Sequence, residues 1–237
     1  MSLELTFLGT GTSAGVPMIG CHCPVCTSDD PRDHRDRPSV MVRYPDPPPG
    51  NGPQRACLID TSPDMRKQMI RHQVNRIDGV FYTHAHADHV FGLDDLRRFN
   101  AVMKTAVDIH AETAVLETLH AMFPYVFAPE KNVNASFVPM LIPPHGAGKP
   151  LNLFGATWTP IRLMHGRLPI LGFRIDNAGK SLAYCTDVSA FPPESCRCSK
   201  ASTSWSLTAC ATATTPPTCR SNNPSGTSNA SPRKPPT

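Results

Sequence analysis

The sequence predicts an α/β domain, and three observations carry that prediction. Short apolar or alternating runs of strand length are separated by stretches with apolar residues at helical spacing. The chain begins as an alternating strand, Leu3-Glu4-Leu5-Thr6-Phe7-Leu8. A dense group of ligand-type residues, His84-Ala85-His86-Ala87-Asp88-His89, falls between a strand pattern and a helix pattern. That is the carboxyl end of a strand, where α/β proteins place their chemistry.

Taken in order, strands are expected over 3–8, 39–44, 56–60, 79–83, 107–110, 151–162, 170–175 and 181–185. Helical patterns lie near 63–74, 90–103 and 112–122. The Pro- and Gly-rich run from Pro45 to Pro53 cannot continue a strand ladder and reads as a solvated hairpin loop. The segment Gly79-Val80-Phe81-Tyr82-Thr83 reads as a buried strand, bounded by glycine, that leads into the histidine cluster. Residues from about Pro124 to Pro150 are irregular; a lid beside the site and an ordinary long connection are both open readings.

At 237 residues the chain is long enough for one substantial core. Residues 1–194 are expected to form that domain. From Ser195 onward the acids vanish, and large apolar residues fall to Trp205 and Leu207. Such a segment, 195–237, buries too little apolar surface to offset its chain entropy and is expected to be a disordered tail. The genetic code suggests a sharper account. Codons for Ala209 to Cys219, read one base out of frame, permit Leu-Arg-Tyr-Arg-His-His-Pro-Thr-His-Leu. The hypothesis is a single-base shift near codon 195, which leaves an atypical, truncated C-terminus. Sequencing the gene through that codon decides it.

The formal charge of +4 sits in the tail, which holds Arg197, Lys200, Arg220, Arg233 and Lys234. The body is therefore close to neutral, with no bias toward nucleic acid. No apolar run is long enough to span a bilayer, and the start lacks the pattern of a signal peptide. The expected compartment is the cytoplasm, so the nine cysteines should be free thiols or metal ligands rather than disulfides.

Three imidazoles and a carboxylate in one short turn are costly to hold together unless a cation sits among them. Imidazole and carboxylate suit zinc and similar divalent ions, and the alternating spacing lets one loop serve two of them. By spacing, His84 and His86 can share one metal while Asp88 and His89 face its neighbour. His165 follows an apolar strand and precedes Gly166; a structural role and a ligand role are both open. Asp187, after Leu182-Ala183-Tyr184-Cys185, could bridge two cations or merely cap a turn. Asp60, after Cys57-Leu58-Ile59, is a candidate for orienting a ligand histidine.

Cys21, Cys23 and Cys26 have the spacing of a structural zinc knuckle needing a fourth ligand; three unliganded thiols are the alternative. The turn Gly9-Thr10-Gly11-Thr12-Ser13 offers amides and hydroxyls to a phosphate, at Gly11, Thr12 and Ser13, or serves conformation alone. His34, His72, His110, His120 and His145 show no partner pattern, and Cys57 and Cys185 read as packing residues.

Together these residues resemble the metallo-β-lactamase superfamily, whose His-x-His-x-Asp-His hallmark is matched in full at 84–89. The opening Phe7-Leu8-Gly9-Thr10-Gly11-Thr12-Ser13-Ala14-Gly15-Val16-Pro17 and the cysteine knuckle are similar to the branch of the phosphodiesterase PhnP, which hydrolyses phosphoribosyl cyclic phosphate. The resemblance implies an αβ/βα sandwich, here incomplete at the C-terminal end, with two divalent ions, zinc or manganese, along one edge. It implies that His165 is a ligand of the first metal and Asp187 the bridging carboxylate, with Asp88 and His89 closest to the catalysis.

One departure stands out. His165 is the last histidine of the chain, whereas the family carries further histidines near substrate, at the second metal and at the knuckle. The out-of-frame reading restores such a stretch. Three functions follow as expectations: a small-molecule phosphodiesterase, an RNA-processing nuclease acting on tRNA 3′ ends, or a truncated product with incomplete metal sites. The first fits the near-neutral body, with a small phosphodiester rather than a nucleic acid or a membrane as partner, and a homodimer as one open assembly state.

Overall fold

The structure, a computed structural model, describes residues 3–45, 54–127, 140–142, 147–193, 195 and 204–207. Most of the expected loop over 45–53, much of the irregular stretch 124–150, His145 and the greater part of the tail lie outside the described residues.

Two sheets pack face to face. The first runs β1 (Glu4–Gly9), β2 (Ser39–Tyr44), β3 (Arg55–Ile59), β4 (Gly79–Phe81), β5 (Asp108–His110) and β6 (Met140–Ile142), in that spatial order. Its first three strands pair antiparallel, and β3 through β6 pair parallel. The second sheet holds β7 (Leu151–Leu153), β8 (Ala156–His165), β9 (Leu168–Asn177), β10 (Lys180–Cys185) and β11 (Ser204–Leu207), in the spatial order β11-β10-β9-β8-β7. The helices are α1 (Met65–Arg71), α2 (Ala87–Val90), α3 (Leu96–Met103), α4 (Thr113–Met122) and α5 (Pro124–Phe127).

Strand alternation decides which layer each side chain joins. Val40, Val42, Ile59 and Phe81 of the first sheet meet Trp158, Phe173 and other buried residues of the second. The Phe81 and Trp158 rings stack at a centroid separation of 3.7 Å, nearly parallel. The opposite face of the first sheet, through Met41, Leu58 and Val80, receives Met65, Leu96 and Leu119 from the helices. Each such large side chain contributes about 1.5–3 kcal/mol by leaving water. This is the αβ/β part of the expected sandwich; among the described residues no helix covers the outer face of the second sheet.

Several boundaries differ from the sequence reading. The strand expected over 151–162 is a hairpin, because Phe154 and Gly155 adopt φ of 53° and 81° and reverse the chain. The single helix expected over 90–103 is broken at Phe91-Gly92. The Gly92 amide donates to Thr61 O, and a Cβ on Gly92 would lie 2.3 Å from Ser62 O. The backbone therefore packs against the turn after β3 instead of continuing a helix. Neither α5 nor β6 was expected within 124–150. Within the tail, Ser204–Leu207 adds in parallel to the edge of β10.

Two connections bring the sheets' ends together, and a third secures the first sheet's own edge. Leu171 N of β9 donates to Thr83 O, just beyond β4, at 3.0 Å. Arg162 of β8 forms a forked ion pair with Glu112, which precedes α4. Thr61 N donates to His89 O at 2.8 Å, latching the turn after β3 to α2. Among the described residues, no helix is long and apolar enough to cross a membrane.

Candidate metal centre

The parallel strands β3 and β4 both end at one edge of the first sheet, and the second sheet delivers β8 and the end of β10 to the same place. His84 lies three residues beyond β4. His86 is the extended N-cap residue of α2, and Asp88 and His89 sit inside that short helix. Asp60 follows β3, His165 is the last residue of β8, and Asp187 follows β10.

These residues converge. One donor atom each from His84, His86 and His165 lie within 4.8 Å of one another, as do those from His84, His89 and Asp187. The Asp187 carboxylate lies 3.6 Å from His84 Nε2 and 2.9 Å from His89 Nε2. Asp88 Oδ2 lies 3.4 Å from His89 Nε2. The two donor groups share His84, so the arrangement is two adjoining pockets rather than one crowded pocket.

Hydrogen bonding behind the rings fixes which nitrogen faces the pocket. Asp60 Oδ2 accepts from His89 Nδ1 at 2.7 Å, and Asp60 Oδ1 accepts from Thr83 N at 2.8 Å. Thr83 Oγ1 donates to Asp60 Oδ2 at 2.8 Å and lies 2.9 Å from His84 Nδ1. With its own proton turned to Asp60, the threonine oxygen must accept from His84 Nδ1. His84 therefore carries its proton on Nδ1 and presents a bare Nε2, and His89, held at Nδ1 by Asp60, turns its Nε2 into the same space. Those two Nε2 atoms are buried without a hydrogen bond of acceptable geometry. Buried nitrogens left without a partner in this way are costly, and a cation in the space between them would satisfy both.

The charge balance points the same way. Burial pushes His84 down to about 3, and the neighbouring His89 reinforces this, so His84 is neutral and able to ligate. Burial would also lower His89, but the carboxylates of Asp60, Asp187 and Asp88 hold it well above the ordinary histidine value. Burial alone would raise Asp187 and Asp88; the adjacent His89 keeps both below the usual carboxylate range. Around His89 the protein thus favours positive charge, which a proton or a metal ion can supply. The donor set fits divalent cations.

Asp187 adopts φ of 55° and Asp60 φ of 63°, left-handed conformations that a non-glycine residue keeps only when its surroundings enforce them. Asp60 is wholly buried, and burial raises its carboxyl despite the bonds from His89 and Thr83.

Away from this edge, the sulfurs of Cys21, Cys23 and Cys26 lie within 4.8 Å of one another. The backbone amide of Cys26 and the side chain of Cys21 bring Cys23 down to about 7, which favours the thiolate that metals require. In the turn at 9–13, Gly11 N donates to Asp36 O at 2.7 Å, and Arg37 Nε donates to Ser13 O at 3.1 Å. The Gly11 amide is therefore committed within the fold. A Cβ on Gly9 would lie 2.0 Å from Arg37 O, so glycine there answers a close backbone approach. Away from the cluster, His110 stacks on Phe81, and His120 packs on Phe127. Cys57 and Cys185 are buried, as packing residues should be.

Sequence reading missed Thr83 and the Glu112–Arg162 pair. A lone hydroxyl before His84 offered a weak cue, and two charges fifty residues apart offered none.

Residues 55–221 match the family model described as the beta-lactamase superfamily domain. The chain is 38% identical over 198 residues to a protein named octanoyltransferase from Porphyromonas gingivalis, an alignment spanning 84% of this chain and 37% of that protein. The chain thus spans well under half of that relative's length. A crystal structure of a diphosphatase from the PhnP family superposes with a TM-score of 0.69 at 39% identity, covering 83% of this chain and 70% of that one. Zinc-bound PqqB from Methylobacterium extorquens superposes with a TM-score of 0.64 at 20% identity, over 86% of this chain and 71% of that one, a likeness of fold.

Proposed function

Since this chain belongs to the beta-lactamase superfamily, with the metallo-β-lactamase fold, we propose that it is a metal-dependent phosphodiester hydrolase acting on a small cyclic phosphate such as phosphoribosyl 1,2-cyclic phosphate. The observation that carries this reading is the pair of adjoining donor groups, His84/His86/His165 and His84/His89/Asp187, with buried Nε2 atoms turned into the space between them. Likeness to a PhnP-family diphosphatase supports hydrolysis of a phosphate-containing substrate.

In this reading His84, His86 and His165 would hold one divalent ion, Asp88 and His89 a second, and Asp187 would contact both. Zinc and manganese both suit these donors. Bound there, the ions would supply a nucleophile from water near neutral pH and offset the negative charge of the phosphoryl group. The chain's own part is to present His84 as a neutral imidazole, to orient His89 through Asp60, and to hold the Asp88 and Asp187 carboxylates ionised. Asp88 and His89 would then be the residues nearest the reacting atoms. Thr12 and Ser13 remain candidate phosphate contacts through their hydroxyls. Cys21, Cys23 and Cys26 would hold a structural zinc with a fourth ligand from elsewhere.

The test compares hydrolysis of bis-p-nitrophenyl phosphate and of phosphoribosyl 1,2-cyclic phosphate by the wild-type chain, His86→Ala and Asp88→Ala. Turnover by the wild type and none by the variants is expected. Equal turnover in all three would remove the site assignment. Salt-sensitive tRNA cleavage without cyclic phosphate hydrolysis would favour the nuclease reading instead.

A further inference from the structure

The second sheet contributes two donors to the cluster: His165, at the very end of the β8–β9 ladder where it pairs with Leu168, and Asp187, beyond the end of β10. His165 is the terminal residue of β8, followed by Gly166 at φ of 60°. Asp187 lies in a loop with its own backbone in the left-handed region. We infer that Ser189 is the positioning residue that locks these two donors to each other, an inference that rests on the metal reading above.

One hydroxyl spans both peptide groups that flank His165. Ser189 Oγ donates to Met164 O at 2.8 Å and accepts from Gly166 N at 2.7 Å. Behind it runs a backbone bridge, in which Ser189 N donates to Met164 O at 2.7 Å and Met164 N donates to Ala190 O at 3.0 Å. Ser189 is only two residues from Asp187, so the orientation of His165 is tied directly to the loop that carries the carboxylate. The bridge through Met164 needs no side chain and survives loss of the hydroxyl. What the hydroxyl alone adds is the bond to Gly166 N, which sets the peptide plane on the far side of His165. Ser189 itself is exposed and touches no ligand atom, so it acts through the two residues it brackets.

The experiment uses cobalt(II) as the probe. The wild-type chain, Ser189→Ala and Ser189→Thr are loaded with the ion, and affinity is measured by chelator competition. The visible ligand-field spectrum and the thermal midpoint are read beside it. Near-ultraviolet charge-transfer bands report the cysteines separately.

The inference expects Ser189→Ala to bind about tenfold more weakly, the scale set by losing one or two ordinary hydrogen bonds. Its ligand-field spectrum should change while its midpoint stays close to wild type, and Ser189→Thr should restore both spectrum and affinity. Wild-type affinity and spectrum in Ser189→Ala would overturn the inference, as would a parallel loss in Ser189→Thr. A folded wild-type chain that shows no ligand-field bands would overturn the metal reading itself, and this inference with it.

Discussion

Asp60 Oδ2 lies 2.7 Å from Nδ1 of His89, and both side chains are wholly buried. The same oxygen accepts from Thr83 Oγ1, so one carboxylate orients His89 directly and His84 through a hydroxyl. This single anchor fixes the direction of two of the proposed ligands.

Replacing Asp60 with Ala should therefore weaken divalent-ion binding about 10–100-fold, the usual cost of losing a partner behind a ligand histidine. Chelator competition on the folded variant measures it. Unchanged affinity would show that the rings are held by packing alone.

Thr83→Val should reduce ion affinity at the pocket containing His84, because the valine cannot accept from Nδ1. Thr83→Ser should retain it. A serine variant as weak as the valine variant would argue for a packing role of the methyl group, which isothermal titration of the two side by side would reveal.

Acid should destabilise the fold through Asp78, whose side chain is 4% exposed and paired with Arg55 and Arg76. Burial alone would raise its carboxyl, but the Arg76 guanidinium, the Ala56 amide and Arg55 hold it below the ordinary value. A depressed folded-state value means that the stabilisation is fully present above the ordinary carboxylate pKa. It fades as pH falls from about 4 through the depressed value. Asp78→Asn should lower stability by about 1–2 kcal/mol at neutral pH, since both arginines keep partial contact with water, and flatten this acid limb. Urea melts between neutral pH and pH 3 check both, and an acid limb equally steep in the variant would assign it elsewhere.

Gly92→Ala should cost about 1–3 kcal/mol by overpacking. The added Cβ would lie 2.3 Å from Ser62 O and 2.8 Å from Met65 Cβ, with backbone on one side. A thermal midpoint unchanged from wild type would show that the turn after β3 yields freely.

The histidine cluster was legible in the sequence because four ligand-type side chains stand at fixed spacing in six residues. Asp60, His165 and Asp187 were legible more weakly, as polar residues placed at strand ends. Thr83, Ser189 and Arg162 were not, because an isolated hydroxyl or charge carries no periodicity and its partner lies far along the chain. The break at Gly92 was masked by the apolar rhythm on either side of it. The turn at Phe154-Gly155 was hidden because an aromatic residue rarely takes positive φ, so the strand pattern ran straight through it. Hairpins elsewhere extended strands beyond their apolar cores, as in β9, which reaches Leu168 and Asn177.

The most direct test of the metal centre is elemental analysis of the folded chain after loading with zinc and desalting, beside His84→Ala. Because His84 belongs to both donor groups, the wild type should retain zinc that the variant loses, over and above any zinc held by the cysteines. Equal zinc in the two proteins would contradict the account.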